Sequence, residues 1–150
     1  MSYQEKNITV ELTSYVLILG FYLVSWLQMY QVEGLIPARV FSLWIIVIVA
    51  IILVNIVASI LTHIVLTIFQ AIKTRTQPDE RFIADERDKM IGLKGMRNSY
   101  VVFSLGVFLS MLTFVLGQPP LVMFSLIVFS AILAELIGDI SQLYFYRRGL

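Results

Sequence analysis

The sequence predicts an all-α, polytopic membrane protein. It is read as one domain of four transmembrane helices in an up-down bundle, with a short cytoplasmic amphipathic helix between spans two and three. Three observations lead there. Of 150 residues, 59% are hydrophobic and 14% charged, with a mean hydropathy of +0.87, whereas soluble domains carry about a quarter charged residues. A soluble chain of this size would be left with wide apolar patches against water. Four apolar stretches are each close to the ~18–20 residues that cross about 30 Å of hydrocarbon at about 1.5 Å per residue. No run alternates apolar and polar residues in the manner of a β-barrel, and backbone groups in lipid must be satisfied within each segment, so the spans are helices.

The first span covers about Leu12 to Tyr30. Lys6 alone makes a poor basic start for a cleaved signal peptide and no small-residue cleavage site follows, so this segment is read as a span. Gly34 and Pro37 break the chain before the second span, about Val40 to Phe69. The third runs from about Tyr100 to Leu116 and the fourth from about Leu121 to Tyr146, joined by Gly117-Gln118-Pro119-Pro120, a tight-turn sequence.

Four crossings place the N-terminus, the Lys73–Asn98 loop and the C-terminus on one side, with every Lys and Arg except Arg39. Basic residues face the cytoplasm, so both termini are expected inside a cell (inner) membrane. Trp26, Tyr30 and Trp44 fall near the outer boundary, and Tyr100, Tyr144 and Tyr146 near the inner one, where amphipathic rings settle. A formal charge of +1 gives no ground for nucleic-acid binding. Zero Cys removes thiol nucleophiles and iron–sulfur clusters.

The loop reads KTRTQPDERFIADERDKMIGLKGMRN. Asp85 suits a helix cap, Met90, Ile91 and Leu93 give an apolar side, and Gly92 and Gly95 predict a bend into the third span. Asp79-Glu80-Arg81 is repeated as Asp85-Glu86-Arg87 six residues on. With Lys94 and Arg97 these form a candidate interaction segment for a membrane or cytoplasmic protein. The run Asp85-Glu86-Arg87, Ile91, Lys94, Gly95, Arg97, Asn98, Ser99 and Tyr100 resembles the Asp-Glu-Arg segment that precedes a span in a group of small four-span bacterial and archaeal membrane proteins. The resemblance implies the span layout. That group has no established activity, so it implies no residue roles.

Ionisable residues inside a span mark functional candidates, because a charge at mid-membrane costs at least about 2.5 to 3.5 kcal/mol. Glu135 and Asp139 share one face of the fourth helix, continued by Gln142. Asn55, Ser59 and His63 recur every four residues on the second. Counted from the outer ends the stripes match in depth, so Asn55 is expected opposite Glu135 and Ser59 opposite Asp139, with Asp139 the nearer of the two acids to solvent. Two carboxylates so close in a low dielectric attract a proton or a cation. By donor type His63, Glu135 and Asp139 suit zinc, manganese or iron, but a lone His without a spaced motif gives no ground for a metal, and no cofactor is expected. Small residues at Gly106, Ser110, Thr113 and Gly117 line one stripe of the third span for close helix packing, within the chain or across a homodimer.

No Gly-x-Ser-x-Gly, His-Glu-x-x-His, phosphate-binding loop or dinucleotide fingerprint occurs. The sequence therefore predicts a non-catalytic membrane protein acting through partners, as an accessory subunit, regulator or immunity-type protein. The alternative is a small proton- or cation-coupled transporter or channel using the intramembrane carboxylates as a dimer.

Overall fold

The computed structural model describes residues 3–73 and 86–148. They form four helices, each long and apolar enough to cross a membrane, as a multi-pass membrane protein requires. Helix α1 spans Tyr3–Gln28 and runs into a π-helical turn, Met29–Glu33. Helix α2 spans Pro37–Lys73, α3 Glu86–Val115 and α4 Pro120–Arg148.

The breakers act where the sequence places them. Gly34 adopts φ +73°, a conformation that costs glycine little. Pro37 then opens α2, where its missing N–H would have had no partner and its fixed φ suits the first turn. The carbonyl of Ile36 receives the amides of Arg39 and Val40 at 3.1 and 3.2 Å. At the other turn Gly117 has φ +87°. Its N–H donates to the Phe114 carbonyl at 3.0 Å and that of Gln118 to the Thr113 carbonyl at 3.1 Å. This double bond pattern closes a helix on a left-handed glycine, and Pro120 starts α4 three residues later.

Helices α1 and α4 form the middle of the bundle. Helix α4 packs along α3 and along α1, α1 packs along α2, and α2 meets α4 over a smaller area. The α2–α3 pair makes no comparable contact among the described residues, so the helices do not close into a ring. The apolar core joins Tyr15 and Tyr22 of α1, Val40, Leu43, Trp44 and Val47 of α2, and Ile132 and Leu136 of α4. The α2 members recur at i, i+3, i+4 and i+7, one face of a helix. On α1, Ile8, Tyr15 and Tyr22 are buried at seven-residue intervals, the seam of a helix packed in left-handed fashion. Trp44 meets Phe124 of α4 at 5.9 Å between ring centroids.

Helix α3 holds to α4 by a different means. Gly106 lies against the Ser130 side chain, Gly138 against Ser99, and Gly95 against Gln142. The sequence numbers of these pairs run in opposite directions, so the two helices lie antiparallel in contact. Lipid offers apolar side chains as good a solvent as a core does, and close backbone approach then supplies packing attraction instead.

Two expectations change here. Residues 86–98 are not a separate interfacial helix but the first turns of α3, which runs unbroken through Gly92 and Gly95. The helical cost of Gly95, about 1 kcal/mol, is offset by its contact with α4, which a side chain there would block. Asp79, Glu80, Arg81 and Asp85 lie outside the described residues.

Candidate functional site

Three side chains of the α4 stripe come together on the wall of one cavity of about 530 Å³ between α3 and α4. They are Glu135, Asp139 and Gln142, at i, i+4 and i+7. The facing wall is Gly92, Met96, Ser99, Tyr100 and Phe103 of α3, and Ala131, Ala134 and Gly138 complete the α4 side. The small α4 residues create the room, since any larger side chain at these positions would fill it.

Asp139 is 5% exposed, and its Oδ2 is buried without a hydrogen-bond partner among the described residues. Glu135 is half-buried. The order of exposure is thus the reverse of the sequence expectation. Asp139 sits nearer the C-terminal end of α4, but it is covered there by α3 and α1, so position along the axis does not translate into access to water.

A third acid joins them. Glu11 of α1 interacts electrostatically with both Glu135 and Asp139, and its Oε1 accepts a hydrogen bond from Asn7 Nδ2 at 3.1 Å. Tyr15, one turn further along α1 and 1% exposed, interacts electrostatically with all three carboxyl groups. Its hydroxyl donates to Asn55 Oδ1 of α2 at 2.9 Å. Asn55 is therefore engaged with α1 rather than with Glu135. Matching depth fixes the level of two residues but not the direction each faces around its axis. Ser59 and His63 belong to the helical part of α2, but their side chains lie outside the described residues. Among the described residues no three His, Cys, Asp or Glu side chains converge closely enough to hold a metal ion.

Sequence reasoning passed over Glu11 and Tyr15. Glu11 immediately precedes the apolar run that begins at Leu12. The available signal was the interval Ile8, Tyr15, Tyr22, with Glu11 three residues after the first of them.

Toward the N-terminal end of α3 and the C-terminal end of α4, the two helices are fastened by polar contacts. Tyr146 OH donates to Asp88 Oδ1 at 3.0 Å, and Arg87 Nη2 donates to the Tyr146 carbonyl at 3.5 Å. Lys94 Nζ lies 5.2 Å from the centre of the Phe145 ring, and Asn98 Nδ2 donates to Ser141 Oγ at 3.0 Å. Lys89 and Arg97 are exposed on the same stretch. Glu86 begins α3, its side chain outside the described residues. No protein-family model, no curated protein and no solved structure matches the chain.

Proposed function

We propose that the chain is a non-catalytic integral protein of the cell's inner membrane that works through a protein partner. In this reading the helices alternate in direction and both termini, with the 73–98 segment, face the cytoplasm. The observation that carries it is the inner part of α3. Helix α3 has 30 residues, about 45 Å at about 1.5 Å per residue, while its apolar stretch from Tyr100 covers only the later part. The turns before Tyr100 extend past the hydrocarbon as a stalk buttressed by Tyr146 and Phe145. Charges held on such a stalk lose little conformational freedom when a partner docks, which favours affinity.

The test is photo-crosslinking in intact cells from a probe amino acid at Met90, which is exposed beside Lys89. The intact chain is expected to give a discrete adduct with another protein. Changing Lys89 and Arg97 together to Gln is expected to reduce it at least fivefold at equal membrane levels. An adduct pattern unchanged by the double substitution would remove the stalk from the account.

A second reading, a proton- or cation-coupled carrier, is favoured by the convergence of Glu11 with Glu135 and Asp139. By its level beside Ser99, Asp139 lies at the boundary of the hydrocarbon with Glu135 one turn deeper, and acids that face the interior of a bundle are typical of ion pathways. In vesicles holding an internal pH dye, the intact chain is then expected to collapse an imposed gradient and Asp139→Asn to slow the collapse at least tenfold. Absence of flux from the parent chain would end that reading.

A further inference from the structure

We infer that the cavity between α3 and α4 binds a monovalent organic cation, an ammonium head carried on an apolar body. Three features of the cavity lead to this class of ligand and exclude others. Its wall includes Asp139, a side chain only 5% exposed whose Oδ2 has no hydrogen-bond partner among the described residues, with Glu135 one turn away on the same wall and no Lys, Arg or His among the lining residues. A desolvated carboxylate without a partner is costly, and a cation is the partner that relieves it best. An anion is excluded by the same two acids, and Glu11 behind them strengthens the negative field.

The remaining wall sets the body of the ligand. Met96, Tyr100, Phe103, Ala131 and Ala134 present apolar and aromatic surface, and ring faces attract an ammonium within about 6 Å of their centres. The volume of about 530 Å³ falls in the ~300–1,000 Å³ range of small-molecule sites. It is far too large and too apolar for a bare inorganic ion. A lipid tail alone would fill it but leave the Asp139 carboxylate without a counter-charge. The ammonium group can come from a soluble amphiphilic amine or from an ethanolamine lipid headgroup, and the chemistry recognised is the same.

The site uses the acids of the carrier reading but requires only binding. The probe is benzyltrimethylammonium, titrated calorimetrically into the full chain in a neutral maltoside detergent. Its uncharged isostere, neopentylbenzene, serves as the comparison. The cation is expected to bind saturably with one site per chain, the isostere at least tenfold more weakly, and Asp139→Asn to weaken the cation at least tenfold. No saturable binding, or equal affinity for cation and isostere, overturns the proposal on the unmodified protein alone, whether or not the variant folds. Unchanged affinity in a folded Asp139→Asn overturns it as well. In nanodiscs, weakening of the probe when phosphatidylethanolamine is added to phosphatidylglycerol supports the site with the lipid headgroup as occupant. Constant affinity supports it with a soluble amine. Binding retained without proton flux defeats the carrier reading alone, and flux without binding defeats this site alone.

Discussion

Replacing Gly106 with leucine is expected to separate α3 from α4 and lower stability by at least about 2 kcal/mol, at the upper part of the usual range for overpacking. A Cβ at this position would run into the Cβ and Oγ of Ser130, and a Cβ cannot swing aside as a longer side chain can. Relief would require the helix axes to move apart, and with them every other close approach along the pair. Gly138→Ala is expected to be milder. Its obstacle is the Ser99 hydroxyl, which rotates away at the expense of its bond to the Gly95 carbonyl. Gly20→Leu supplies the control, since no atom lies within 4 Å of where its Cβ would be. Thermal unfolding in micelles followed by circular dichroism measures all three. A Gly106→Leu transition within a degree or two of the Gly20→Leu value would contradict the close-packed α3–α4 interface.

Tyr15→Ala is expected to cost about 3 kcal/mol, by comparison with other large aromatic truncations in packed interiors. The residue is 1% exposed and belongs to the cluster joining α1, α2 and α4, so no neighbour can collapse into the space without moving a helix. In a bilayer the loss is one of packing contacts and not of burial from water, because the lipid-facing alternative is equally apolar. Tyr15→Phe separates the two contributions. It keeps the ring and removes only the bond to Asn55, and an interhelical hydrogen bond in a membrane contributes about 0.6 kcal/mol on average and about 1.7 at most. Equal destabilisation by the two substitutions, read from unfolding in mixed micelles, would mean that the hydroxyl rather than the ring holds the three helices.

The four helices were legible in the sequence because the hydrocarbon imposes a length requirement that few soluble segments meet. The turn at Gly117 was legible because a glycine followed by two prolines leaves a helix little alternative to stopping. The face each helix turns inward was harder to read. Leu17 and Phe21 are exposed while Ile8 is buried on the same α1, and lipid accepts all three equally, so hydrophobic periodicity carries almost no information there. Polar atoms carry it instead. The spacing of Glu135, Asp139 and Gln142 correctly placed them on one wall. Depth alone did not find the hydrogen-bond partner of Asn55, which is Tyr15, whose ring passes for ordinary apolar filler in a sequence. The bend expected at Gly92 and Gly95 failed for a related reason. Helix propensity describes an isolated segment, and α4 lies alongside this one.

The Tyr22 hydroxyl donates to the Ser125 carbonyl at 2.6 Å, across 103 positions of the chain. During synthesis the tyrosine enters the membrane long before its acceptor exists. Until α4 is inserted, the Tyr22 hydroxyl lacks this acceptor, and α1 and α2 are joined by their shared apolar contacts and the Tyr15–Asn55 hydrogen bond. Insertion of α4 therefore links α1 and α3, each of which packs along it, and quality control acting before that step would meet a nascent chain whose helices are formed but not yet mutually committed.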